Sequence, residues 1–308
     1  MKVLVTGGTN GMGKGVAKIL AGMDNQVHEI ILLCRSKELG EATIKEFEDA
    51  TMNNKISLVL CDLTKLSDVR HAIDEIQSKH QFLDGVFINA GLGYAAKRIE
   101  TIDGMDPHFQ VNYLSQFMLT LNLLNLLDNS KNGGRIIFNV TEGGQIFWDD
   151  MQMKNTWGYE NGIKQAMVAK RMFYRKLHDS YRNINESKVS FIGFEIPKTV
   201  WTNQINIIPV SMKMMATIMK LFGTFISIEK CGTIMSPLFT EGQEESLKKS
   251  GKMMTWKNNE FTEIKENEID LNEDLQDRLW KVSLELCKDD KTTQIAKKLD
   301  DFSKQPHA

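Results

Sequence analysis

The sequence predicts a doubly wound α/β domain, one parallel sheet with helices on both faces. Two observations carry that expectation. Six short apolar runs alternate with helix-length segments, and the first run ends in a glycine-rich turn that opens a helix. The whole of residues 1–288 reads as this single domain, with residues 205–228 as an apolar lid and 289–308 as a charged tail.

Taken in order, KVLVT (2–6) ends in Gly7-Gly8, and GMGKGVAKILAG continues with helical spacing. EIILLC (29–34) precedes the amphipathic KELGEATIKEFEDA, and ISLVLCDL (56–63) precedes DVRHAIDEIQSKH. LDGVFINAG (83–91) leads into a long helical stretch through HFQVNYLSQFMLTLNLLNLL. GRIIFNV (134–140) and KVSFIGFEI (188–196) complete the six strand candidates. Strands that are apolar throughout are covered on both faces, and parallel strands need the crossover helices that separate these runs. Ligands of such sheets sit beyond the carboxyl ends of the strands.

Composition narrows the classes. With 308 residues, 42% hydrophobic and 25% charged, the chain can bury a sizeable core. A net charge of −2 argues against a nucleic-acid partner. Cys34, Cys61, Cys231 and Cys287 form no CxxC pair and read as small buried hydrophobes in a reducing compartment. The six histidines show no metal-ligand spacing, so no metal is expected. MKVLVTGG is too short an apolar opening for a signal peptide. The expected location is intracellular, in the cytoplasm or an organelle interior such as the mitochondrion, and not secreted.

The turn TGGTNGMG places Gly7, Gly11 and Gly13 after a strand and into a helix. Glycine is needed there because a pyrophosphate must approach bare backbone at a helix N-terminus. At the end of the second strand an acid would favour NAD, whereas an arginine pairs with the 2′-phosphate of NADP. LLCRSKE puts Arg35 there, so NADP(H) is the expected cofactor.

These residues resemble the short-chain dehydrogenase/reductase family, a Rossmann-fold family, over residues 1 to about 288. TGGTNGMG is similar to its TGxxxGxG turn, CDL to its adenine-side Asp62, and INAG (88–91) to its NNAG strand end. ETIDGMDPHFQVNYLSQFMLT is similar to the retinol-dehydrogenase-like branch, as are GKMMTW and LNEDLQDRLWKVSLELC. The resemblance implies that Thr6, Gly7, Asn10, Gly11, Met12, Gly13, Arg35, Asp62, Leu63, Asn89, Ala90, Gly91, Lys164, Pro197 and Thr202 line the cofactor. It also implies hydride transfer at a carbonyl or alcohol carbon, with a tyrosine as proton donor and a lysine four residues on. Asn112 matches the family's supporting asparagine. The serine position falls on Thr141 counting from Arg135, or on Glu142 counting from Asn139; Thr141 is preferred because it keeps a hydroxyl.

Lys164 of IKQAM fits the lysine, but four residues before it stands Glu160, and Tyr159 is five away. One residue adds about 100° of helical rotation, which turns Tyr159 away from the face of Lys164. Three readings follow. The tyrosine is lost and Glu160 pairs with Lys164; or a π-bulge near Gly162 restores Tyr159; or Glu160 is itself the acid. Loss is preferred, and EIPKTVWTN supports it by placing Lys198 where the family has glycine.

INIIPVSMKMMATIMKLFGTFISI (205–228) reads first as a lid over an apolar pocket, then as a partner face, then as a peripheral membrane helix. The tail lacks an apolar stripe and is expected to fray or to order on a partner. The leading expectation is a catalytically degenerate, nucleotide-binding subunit of a hetero-complex or homo-oligomer. An active NADP-dependent oxidoreductase for an apolar, retinoid- or lipid-like substrate is the alternative.

Overall fold

The computed structural model of the protein describes residues 1–23, 28–182, 188–202, 205 and 208–303. The first half runs β1 (Lys2–Thr6), α1 (Gly11–Ala21), β2 (Glu29–Cys34), α2 (Lys37–Thr51), β3 (Ile56–Leu60), α3 (Leu66–Lys79) and β4 (Gly85–Ile88). A short α4 (Pro107–Phe109) passes through a π-helical turn (Gln110–Leu114) into α5 (Ser115–Asp128). Then follow β5 (Arg135–Asn139), the 24-residue α6 (Tyr159–Arg182) and β6 (Ser190–Glu195). Beyond β6 come β7 (Thr199–Val200), α7 (Val210–Leu221), β8 (Phe225–Ile226), α8 (Ile228–Met235), α9 (Pro237–Thr240) and α10 (Gln243–Lys249). The chain closes with β9 (Met253–Lys257), β10 (Glu260–Ile264), α11 (Glu268–Leu271), α12 (Glu273–Cys287) and α13 (Asp290–Ser303).

Among the described residues the main sheet has eight strands in the order β10-β9-β6-β5-β4-β1-β2-β3, parallel except for β10. All six expected strands lie in it, so the Rossmann architecture stands. Its faces follow the two-residue strand period. Leu4, Ile31, Val86 and Ile136 enter the core beneath α3, α5 and α6, while Val3, Val5, Leu32, Phe87 and Ile137 enter the core beneath α1 and α8. The switch of strand order between β1 and β4 opens the crevice where the glycine turn sits.

Backbone contact ties the glycine helix to α8. A Cβ on Gly15 would lie 2.0 Å from the Ile228 carbonyl oxygen, and one on Gly232 would lie 2.2 Å from the Gly15 carbonyl oxygen. Helices this close leave no room for a methyl group. The contact fixes the end of the 205–228 segment against the turn.

One element lies beyond the sequence expectations, and one expectation needs correction. The edge hairpin β9–β10 was not anticipated, although Asn258 and Asn259, at φ of 53° and 62°, supply the two left-handed residues of a tight hairpin turn. The tail is not frayed through residue 303. It forms α13, which buries Thr292, Ala296 and Leu299 against the rest of the chain. Asn122 of α5 donates to the Thr292 hydroxyl at 2.8 Å, and Lys291 pairs with Asp74 at 3.2 Å. Its stripe is short because Thr292 does the work of an apolar residue through that bond. Residues 304–308 lie outside the described residues.

Candidate functional site

The site begins at the end of β1. Thr6 donates its hydroxyl to the Phe87 carbonyl at 3.0 Å and accepts from the backbone N–H groups of Asn89 and Ala90 at 2.8 and 3.0 Å. This joins the ends of β1 and β4 and presents Asn89, Ala90 and Gly91 at the crevice. The next residues make a bare backbone cradle. Gly11 has a φ of +55°, a left-handed value that disfavours side chains. A Cβ on Gly13 would meet the Gly7 carbonyl oxygen at 2.5 Å. Asn10 caps α1 by accepting from Gly11 N–H at 2.8 Å, and Met12 packs into the core behind the turn. A glycine-rich helix N-terminus of this kind suits a pyrophosphate.

A cavity of about 430 Å³ adjoins this turn, lined by Asn10, Lys14, Trp201, Thr202, Lys220 and Phe225 among others. Thr202 leans over the turn, its methyl 3.1 Å from where a Gly11 Cβ would stand. Arg35, just past β2, is exposed and has no hydrogen-bond or ion-pair partner among the described residues. Asp62 is half-committed: its carboxylate accepts from Thr64 N–H and hydroxyl at 3.0 and 2.8 Å. The neighbouring Leu63 is buried, and its carbonyl accepts from the Ser115 hydroxyl at 2.7 Å. Pro197 is exposed, and Lys198 turns away from the turn to donate to the Gly223 carbonyl at 2.7 Å. Of the residues expected around a nucleotide, Asn10 and Thr202 line the cavity at the glycine turn.

The positions matched to the family's catalytic residues make the following contacts. Asn112 lies in the π-helical turn, and that wider turn lets its amide bond both backbone groups of Leu92, at 2.6 and 3.1 Å. Thr141 is exposed, and its carbonyl accepts from the Arg171 guanidinium. Lys164 is exposed, with no hydrogen-bond or ion-pair partner among the described residues. The expected Glu160–Lys164 pair is therefore not formed; Glu160 instead accepts from the Tyr159 hydroxyl at 3.2 Å. Nor does a bulge interrupt α6 at Gly162, whose N–H bonds the Gly158 carbonyl at 2.9 Å in ordinary α-helical fashion. Among the described residues, the extra-wide helical turn lies at Asn112.

Tyr159 opens α6 with its ring edge-on to Tyr94 at 5.0 Å between centroids. Desolvation of the phenol and the Glu160 carboxylate beside it hold the hydroxyl above its ordinary pKa. A phenol that must release a proton needs the opposite shift. The first turn of α6 is seated on His108, whose Nδ1 lies 3.1 Å from where a Gly162 Cβ would be and whose Nε2–H donates to the Gly93 carbonyl at 2.8 Å. Tyr94, His108 and Trp157 border a second hollow of about 160 Å³.

Three charged or polar residues at the rear of the site escaped the sequence reading. Arg171 is fully buried and pairs with the fully buried Asp270 at 2.7 Å. The same guanidinium donates to the Thr141 and Gly143 carbonyls, so it shapes the loop after β5. Lys170, also buried, donates to the Asn139 carbonyl at 3.2 Å, and burial pushes its ammonium pKa down to about 7. The signal was present: both residues fall on the apolar face of α6, where a long cation needs a reason. No group of metal-ligating side chains occurs among the described residues, and all four cysteines are free and buried.

Residues 1–152 match the family model described as short chain dehydrogenase. Among curated proteins, the human polyprenol dehydrogenase is 28% identical over 176 residues, 55% of this chain and 52% of that protein. Human retinol dehydrogenase 13 is 34% identical over 180 residues, 57% of this chain and 53% of that protein. The chain thus aligns with about half the length of these relatives. A solved structure of a putative uncharacterized protein from Mycobacterium paratuberculosis shares the fold with a TM-score of 0.67 at 19% identity, covering 93% of both chains.

Proposed function

Because the chain belongs, through residues 1–152, to the short-chain dehydrogenase family, we propose that it binds NADP(H) but has lost the family's proton-transferring tyrosine. Its role is then that of a nucleotide-binding structural or regulatory subunit in a larger assembly. One observation carries the reading: among the described residues no phenol bonds Lys164, and the Tyr159 hydroxyl donates to Glu160 instead.

The residues fit the cofactor at its phosphate and adenosine end. Gly13 lets α1 close tightly on Gly7 and Asn89, Asn10 fixes the turn, and the exposed Arg35 guanidinium is available to a 2′-phosphate. Bound NADPH would supply a hydride. What the chain's own residues lack is a proton donor for the resulting alkoxide, since Thr141 and Lys164 both face solvent and Asn112 is spent on Leu92. The hollow beside Tyr94 and His108 holds about 160 Å³ and the cavity at the glycine turn about 430 Å³.

Two experiments test the reading. Arg35→Ala is expected to weaken NADPH binding about 10- to 100-fold, the worth of a charge-assisted pair, with little change for NADH. Isothermal titration with both cofactors reads this directly, and equal losses would refute the phosphate-pairing role. For catalysis, the purified chain is expected to reduce retinal-like and aliphatic aldehydes no faster than buffer, with or without Tyr159→Phe. Turnover that falls on the order of 100-fold in that variant, the usual effect of removing a general acid, would overturn the degenerate reading.

The alternative is an active oxidoreductase for an apolar alcohol or carbonyl. It draws support from relatives whose names are polyprenol dehydrogenase and retinol dehydrogenase. It requires Tyr159 to leave Glu160 and reach Lys164.

A further inference from the structure

Helix α7 forms where the apolar segment predicts a helix, yet none of its side chains is buried. Val210, Met214, Met215, Ile218, Leu221 and Phe222 are between 50% and 84% exposed. Val210, Met214, Ile218 and Leu221 follow the spacing of one helical stripe, and Phe222 continues it past the last turn. A helix that covers a pocket would turn this stripe inward. Here only Met212 and Ala216 are partly shielded.

The charge around the stripe is one-sided. From residue 196 to 228 the sequence holds Lys198, Lys213 and Lys220 and no aspartate or glutamate. Lys213 and Lys220 are seven residues apart, on the flank of α7 away from the stripe. Lys220 lies over the Trp201 ring at 4.1 Å, which places an aromatic–cation pair at the helix edge. Protein interfaces favour aromatic, Met and Arg anchors, a preference that Met214, Met215 and Phe222 would satisfy, but they are depleted in lysine. An apolar helical stripe flanked by lysines, with an interfacial tryptophan, is instead the pattern of a helix lying in a bilayer surface.

We propose that α7 docks the protein on an anionic lipid bilayer, its Val210–Phe222 stripe entering the acyl boundary and its lysines meeting the headgroups. Twelve residues make a helix about 18 Å long, too short for the roughly 30 Å hydrocarbon core, so α7 lies in the surface and does not cross it. Among the described residues, no helix is long and apolar enough to cross a membrane. The docking is independent of whether the chain turns over a substrate. It would set the nucleotide crevice close to the lipid surface, because Trp201 and Lys220 also line the cavity at the glycine turn.

Flotation of the full chain with vesicles tests the proposal. Vesicles of equal parts phosphatidylcholine and phosphatidylglycerol should carry the protein up the gradient, and pure phosphatidylcholine should carry much less. The double variant Ile218→Glu, Leu221→Glu should lose binding at least about tenfold while its circular dichroism melt stays unchanged, since neither side chain is buried. Lys213→Gln should weaken binding to the anionic vesicles about fivefold and leave the neutral ones unaffected. In Phe222→Trp, lipids brominated in the acyl chain should quench the added fluorescence. No flotation with anionic vesicles at low salt would overturn the proposal. So would sedimentation showing that the stripe is covered by a second copy of the chain, with the glutamate variant releasing monomers.

Discussion

Arg171→Met is expected to destabilise the protein by about 3–5 kcal/mol, more than any surface change in the chain. The reason is what it leaves behind. Asp270 is fully buried, takes the Arg171 Nε–H at 2.7 Å, and keeps its other oxygen without a hydrogen-bond partner. Methionine fills much of the space but leaves that buried carboxylate only the long 3.3 Å bond from the Asn267 amide, and the Thr141 and Gly143 carbonyls lose their donor as well. The double variant Arg171→Met, Asp270→Leu should regain most of the loss, because an apolar pair of similar volume often replaces a buried ion pair at little cost. Urea unfolding of the three proteins measures both effects. A single-variant loss under about 1 kcal/mol, or a double variant no better than the single, would show that the pair is not what holds this loop.

The second large effect depends on pH. Lys170 is buried on α6, and its pKa is lowered by burial to about 7 from an ordinary 10.5. Between those values the unfolded chain carries a proton on this amine and the folded chain does not. Stability must then rise with pH across that window, and the full burden is present below about pH 7. Lys170→Met removes the titrating group and keeps an unbranched side chain. It is expected to stabilise the protein by on the order of 4 kcal/mol at pH 6, less about 1 kcal/mol for the lost bond to the Asn139 carbonyl. Above about pH 10 the advantage should vanish or reverse slightly. Denaturation at a series of pH values reads the curve. A difference between variant and parent that stays flat from pH 6 to 10 would contradict it.

Both residues show why parts of this site were hard to read. A long cation on a helix is ordinarily solvated, and only the fold reveals that α6 turns positions 170 and 171 toward the ends of β5 and the short α11. Asp270 is 99 residues from its partner in sequence, so nothing local announces the pair. Asn112 is the opposite case. Its place in a family-like motif was legible, but the π-helical turn that commits its amide to Leu92 was not. The tail misled because Thr292 and Asn122 supply by hydrogen bonding what an apolar stripe would have advertised.

By itself the sequence determined the six-strand march, the glycine turn, the arginine after β2 and the spacing of Tyr159, Glu160 and Lys164. Each of these is a local matter: apolar period, backbone freedom and helical rotation act within a few residues and need no partner. The tertiary structure alone decided which side chains meet. It sent the Tyr159 hydroxyl to Glu160, left Lys164 in solvent, seated α6 on His108 and turned the apolar stripe of α7 outward. Those outcomes depend on competition among distant groups for burial and hydrogen bonds, which is settled only when the whole chain packs.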